Sequence, residues 1–169
     1  MLNLSLPKNT LALIPPQTFK TKNKGDTYLK FQLAEKTPAV FSMTQAQEVI
    51  VLAPSRLTPM PNMPPYVMGL MNRRSRVLWV IDLAKMLGLS AVETSVQQYD
   101  IVIIRNESAT LGLIVTAVEG VLRLTSESIQ SPIEQVSSSL VPYLKGCILH
   151  EQEIILLLDA EAIMRNIQK

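Results

Sequence analysis

A repeated unit constrains this chain more than any other feature. Tyr66 to Leu87 reads as a short apolar run, a polar turn at Asn72-Arg73-Arg74-Ser75, a second apolar run at Val77 to Ile81, then Asp82 and a short helix stopped at Gly88. Tyr143 to Met164 repeats that order. At a fixed offset Tyr66 matches Tyr143, Gly69 matches Gly146 and Asp82 matches Asp159. Upstream, Tyr28 to Leu33 lies against Tyr99 to Ile104, and Ala46 to Ile50 against Ala117 to Val121. The reading is two similar β-rich halves, about 27–89 and 99–165, behind an N-terminal extension, 1–26. The strands of each half are short and closely spaced. That pattern predicts small β-barrels packed together, with two short helices capped by Asp82 and Asp159.

At 169 residues and 47% hydrophobic, the chain can bury a real core, and with 5% aromatics that core must be built mainly from Val, Ile, Leu and Met. Net charge is +2 but unevenly placed: residues 1–85 carry net +7 and residues 86–169 net −5. Asymmetry of that kind marks complementary partner surfaces, whereas the small total gives no broad case for nucleic acid. The single cysteine, Cys147, rules out an internal disulfide framework and reads as a small buried hydrophobe. Leu11 to Ile14 is too short before Pro15-Pro16 for a secretory apolar region, and no run has membrane-spanning length. The expectation is a cytoplasmic protein, peripheral at most, with no direct membrane insertion.

Along the chain, Thr27 to Leu33 alternates, with Leu29, Phe31 and Leu33 on one face. Ala39 to Met43 predicts a strand, and Ala46 to Leu52 a short turn entering a strand. Five prolines between Pro54 and Pro65 exclude a central strand or helix there. Ser90 to Gln98 reads as a linker. Asp100 to Ile104, Leu111 to Val115, Val118 to Leu124 and Ile154 to Leu158 predict strands, and the Ser-rich 126–139 a long connection.

Catalytic signatures are missing. His150 stands in a polar turn beside Glu151 and Glu153, short of a metal set. There is no nucleophile elbow, P-loop or dinucleotide motif, so no catalytic, cofactor or metal residue is assigned. Two charges need an explanation. Glu48 lies in an apolar run and Arg74 in a turn between apolar strands. Either both tuck toward one surface and pair, or both face water, where a pair is worth about 0–1 kcal/mol. Arg73, Arg74 and Arg76 form a compact positive turn open to a phosphate or an acidic partner.

Gly69-Leu70-Met71-Asn72-Arg73-Arg74-Ser75-Arg76-Val77-Leu78-Trp79-Val80-Ile81-Asp82-Leu83 resembles the signature of the CheW-like family, G-[VI]-[IVM]-N-L-R-G-x-[VI]-x-P-[VI]-[IV]-D-L. Tyr28 to Leu33, Ala46 to Ile50, Pro59 to Val67, Leu111 to Val121, Tyr143 to Cys147 and Ile154 to Asp159 resemble the family's other motifs, in order, over about 27–165. The resemblance implies a mainly β fold of two five-stranded SH3-like barrels around a shared hydrophobic core. It implies a non-catalytic adaptor, without cofactors, that couples a methyl-accepting chemoreceptor-type protein to the regulatory domain of a CheA-type histidine kinase. One barrel face would hold the kinase and the groove between barrels the receptor. Glu48, Ile50, Asn72 and Arg74 would lie on the receptor side, with Arg74 as the signature arginine and Glu48 its acidic partner.

The chain departs from the pattern at Arg73 (Leu is usual), Ser75 (Gly), Trp79 (Pro) and Thr116 (Asp). Ser75 implies a turn that does not demand positive φ so strongly. The departures point to a divergent member, serving a pilus-based motility or phototaxis pathway. The alternative reading is a small β-barrel nucleic-acid binder using Arg73 to Arg76, although only Trp79 is near enough to offer a stacking surface.

Overall fold

In a computed structural model of the chain, the described residues are 25–89, 96–132 and 136–167. Most of the expected N-terminal extension and of the expected linker lies outside them. The strands are β1 (Asp26–Ala34), β2 (Thr37–Ser42), β3 (Ala46–Leu52), β4 (Val67–Arg73), β5 (Arg76–Asp82), β6 (Tyr99–Arg105), β7 (Thr110–Val115), β8 (Ala117–Leu124), β9 (Ile129–Gln130), β10 (Leu144–His150) and β11 (Glu153–Leu158). The helices are α1 (Leu83–Met86) and α2 (Ala160–Ile167), with single 3-10 turns elsewhere. One sheet runs β9-β10-β11-β2-β1-β8 and the other β3-β6-β7-β5-β4.

Neither sheet is one half of the sequence. The first takes β1 and β2 from the first half and β8 to β11 from the second; the other reverses this. The chain crosses between sheets after β2 and again at Thr116. Within that exchange, repeated residues occupy repeated places. Trp79 and Val80 pair in parallel with Leu111 and Gly112, as Leu156 and Leu157 do with Ala39 and Val40. The backbone N–H of Asp82 donates to the Tyr66 carbonyl at 2.8 Å, and that of Asp159 to the Tyr143 carbonyl at 2.8 Å. The Asp82 carboxylate caps α1 through the Lys85 N–H (3.2 Å), and the Asp159 carboxylate caps α2 through Glu161 and Ala162.

Alternation sorts the side chains into three cores. Leu29, Phe31 and Leu33 from β1 join Ile81, Leu83, Val102, Leu113, Leu156, Leu158 and Ile163 in a core shared by both sheets. The other face of each curled sheet fills its own barrel. Tyr28, Val40, Ile148 and Ile155 fill one, and Met71, Leu78, Val80 and Ile101 the other. Cys147 is fully buried in β10.

Three local expectations need correction. Ala46 to Leu52 is strand throughout rather than a turn leading into one; a bulge between Ala46 and Glu48 takes Gln47 out of the ladder. The Ser-rich connection contains a two-residue strand, β9, paired with Ile148 and Cys147. Ser75 does occupy the left-handed region, at φ 64° beside Arg74 at 53°, because a two-residue hairpin turn must match the strand twist. The equivalent turn between β10 and β11 does the same at Glu151 (52°) and Gln152 (70°). Thr116, where the family has Asp, donates its hydroxyl to the Leu33 carbonyl at 3.4 Å, a bond an ionised carboxylate could not make.

Candidate functional site

Glu48 projects from β3, an edge strand of the five-stranded sheet. It shares a side of β3 with Ile50, which packs partly buried on that barrel's interior. The carboxylate therefore emerges at the barrel rim. Arg73 ends β4 with Arg76 as its cross-strand partner, and Arg74 occupies the turn between them. Arg73 Nη2 donates to Glu48 Oε2, and Arg74 Nη2 reaches the same oxygen at 3.5 Å. The side chains of Glu48, Arg73 and Arg74 are 25, 36 and 75% exposed. Arg74, which the sequence reading pairs with Glu48, stays mostly in water, and the carboxylate is engaged chiefly from the neighbouring position. Its principal donor is Arg73, the residue that departs from the family pattern, and Arg74 forms the outer, more solvated contact. The hydrogen bond from Arg73 holds the Glu48 carboxyl below the ordinary glutamate range; partial burial opposes it, and the charges of Arg73 and Arg74 assist.

A fourth arginine completes the cluster. Arg105 ends β6, the strand beside β3, and with Gln47, Glu48, Arg73, Arg74, Arg76, Leu78, Ile103 and Thr110 it lines a cavity of about 330 Å³. Sequence reasoning missed it. Arg105 is remote from the turn in the chain, and only the β3–β6 pairing brings it near. Arg73 Nε is buried there without a hydrogen-bond partner among the described residues. Four arginines thus line one cavity with Glu48, which Arg73 and Arg74 engage. Gln47 and Arg105 also line a larger polar groove of about 750 Å³, which extends to Asn106 and to Glu161 on α2. Asn106 Nδ2 donates to Glu161 Oε1 at 3.2 Å, so this groove is walled by a hairpin of one sheet and the helix that follows the other.

Asn72 is not part of the cluster. It alternates with Arg73 and stands exposed on the opposite face of β4, opposite Val77. Ile50 is near Glu48 but faces the barrel interior. Trp79 is 37% exposed and shares the face of Val77, turned away from Leu78 and the arginines. His150 lies 3.7 Å from Glu151. Among the described residues there is no group of three or more His, Cys, Asp or Glu side chains placed to hold a metal. Among them, too, no helix is long and apolar enough to cross a membrane.

Residues 27–168 match the family model of the CheW-like domain. The probable chemotaxis protein CheW of Rhizobium etli is 32% identical over 146 residues, covering 85% of this chain and 91% of that protein. The chemotaxis protein CheW of Thermotoga maritima is 31% identical over 139 residues, covering 82% and 87%. Among solved structures, the scaffolding protein TtCheW of Thermoanaerobacter tengcongensis superposes with a TM-score of 0.70 at 24% identity, covering 80% of this chain and 89% of that one.

Proposed function

Because this chain belongs to the CheW-like family, we propose that it is a non-catalytic adaptor coupling a chemoreceptor-type protein to a CheA-type histidine kinase. The observation that carries the reading is the family match along the whole double-barrel fold, together with the charged rim at Glu48, Arg73 and Arg74, where the family signature places its own arginine. The groove between the hairpin of one sheet and α2 of the other adjoins that rim through Gln47 and Arg105 and supplies a concave receptor surface. The kinase regulatory domain would take a barrel face, the complex would gather at receptor arrays in the cytoplasm, and nucleic acid has no part in it. Trp79 supports that exclusion: it lies on the strand face opposite the arginines, so among the described residues no aromatic platform lines the basic cavity.

The test is reconstituted, receptor-dependent kinase control with a folded Arg74→Ala variant. Weakened control with native stability is expected. Unchanged control would refute the placement of the receptor site, and failure of the unmodified protein to bind either partner would refute the adaptor reading. Pilus-based movement or phototaxis is the proposed output of the pathway; a deletion strain that moves normally on pili would remove that assignment.

A further inference from the structure

The cavity beneath the hairpin turn carries more positive charge than Glu48 can neutralise. Arg73, Arg74, Arg76 and Arg105 line it, and among the described residues Glu48 is its only acidic lining residue. Glu48 engages Arg73 and Arg74. Among the described residues neither Arg76 nor Arg105 has an ion-pair partner. Leu78 and Ile103 form an apolar floor, which lowers the local dielectric and strengthens any charge-assisted contact made above it. Guanidinium groups favour planar, bidentate acceptors over point charges. The arrangement lacks a helix N-terminus or glycine-rich nest of the kind that cradles small phosphates.

We propose that this cavity recognises closely spaced carboxylate side chains on the receptor-type partner, with Arg76 and Arg105 as the primary contacts and Arg73 held in place by Glu48. The inference rests on the adaptor reading, whose receptor side it deepens. It assigns Arg73 a purpose. At the position where the family pattern has Leu, this chain uses an arginine to anchor Glu48, which leaves Arg76 and Arg105 to the partner.

The experiment is calorimetric titration of the full chain against a receptor-type fragment and, in parallel, the kinase regulatory domain, each from its own source and at two salt concentrations. Unmodified protein is compared with Arg105→Gln, Arg76→Gln and Arg73→Leu, after thermal unfolding confirms that each variant is folded. Arg105→Gln and Arg76→Gln should each weaken receptor binding about fivefold, the loss expected for one rim charge pair, and flatten its salt dependence while kinase binding stays unchanged. Arg73→Leu is the second handle, since it acts through Glu48. Receptor binding at unmodified strength and salt slope in folded Arg76→Gln and Arg105→Gln would overturn the carboxylate pocket and leave the adaptor reading intact. No binding of unmodified protein to the receptor fragment would overturn both. Competition by inorganic phosphate or by duplex DNA at concentrations that leave the receptor fragment unbound would reassign the cavity to a phosphate ligand.

Discussion

Gly69 opens the family signature, and its replacement by Ala measures why a glycine stands there. Its φ is +139°, a region that costs a residue with a side chain about 1–3 kcal/mol. A Cβ at this position would lie 2.4 Å from the carbonyl oxygen of Thr58 and 2.9 Å from its carbon, so the backbone of the proline-rich loop must retreat. That loop is tied to β4 at this point by two hydrogen bonds, Thr58 N–H to the Leu70 carbonyl (2.8 Å) and Leu70 N–H to the Thr58 carbonyl (2.9 Å). Weakening both removes roughly 0.5–1.5 kcal/mol each. The total for Gly69→Ala is about 2–6 kcal/mol, a large share of the roughly 5–15 kcal/mol that holds a typical domain folded. The control is Gly120→Ala. Gly120 has nearly the same φ, +135°, but a Cβ there meets nothing within 4 Å, so only the torsional cost of about 1–3 kcal/mol applies. Urea unfolding of the two variants beside the unmodified protein gives the comparison, and hydrogen exchange at the Thr58 and Leu70 amides localises it. Gly69→Ala should be the more destabilising by at least about 1 kcal/mol, with lost protection at both amides. Equal stabilities for the two variants would refute the argument that close approach of the loop, rather than torsion alone, demands glycine. Gly146 repeats the packing in the other barrel: a Cβ there would lie 2.6 Å from the Gln130 carbonyl oxygen, against the two-residue strand β9.

Two further outcomes follow from the hairpin that carries the site. Ser75→Gly should stabilise the protein by about 0.5–1 kcal/mol, because relief of the left-handed strain at φ 64° exceeds the added chain entropy of glycine; urea unfolding reads it, and a loss of stability would mean that the Ser75 side chain makes a contact worth more than the strain. The Glu48 carboxyl is held below its ordinary value of 4.5, so the folded state binds its proton less readily than the unfolded chain does. The ion pair's contribution is therefore complete above about pH 4.5 and is lost as pH falls through the lower folded value; the stability gap between the unmodified protein and Glu48→Gln, followed by urea unfolding on the acid side, should shrink in that direction, and a gap that widens on acidification would contradict the pairing.

Much of the fold is legible residue by residue. The alternation of Leu29, Phe31 and Leu33 identifies the buried face of β1, and Asp82 with Gly88 brackets α1, because these signals are local: a strand has period two, and a cap needs only its own next turn. Strand exchange between sheets is not legible in that way. Nothing local says that β6, about fifty residues on, will be the neighbour of β3. β3 is hidden further because both of its faces carry apolar residues, Val49 and Val51 exposed on one and Ile50 and Leu52 partly buried on the other. The site divides on the same line. Glu48 betrays itself as a charge in an apolar run, and the basic turn is visible as a cluster. Arg105 carries no local signal, because it reaches the cavity only through the ladder of β6 with β3. Arg73 is visible but reads as a departure; its meaning depends on the side of β4 it occupies relative to Asn72.

The exchange of strands also bears on how an adaptor of this build can act. The shared core draws buried side chains from both sheets, among them Leu29, Phe31 and Phe41 from one and Val102, Ile104 and Leu113 from the other. At about 1.5–3 kcal/mol for each large apolar side chain returned to water, parting the barrels would cost more than the roughly 5–15 kcal/mol of stability a typical domain possesses. The polypeptide crosses between the sheets as well, after β2 and at Thr116, where the backbone N–H is bonded to Gln32 of the opposite sheet at 2.9 Å. The barrels therefore move as one body, and hinge opening between them is not an available signal. On the adaptor reading, control must then reside in which partners are held and how firmly, at surfaces whose relative position the core fixes. A rim of arginines around a single glutamate suits that role: its grip on an acidic partner can be tuned one charge at a time without disturbing the packed interior beneath it.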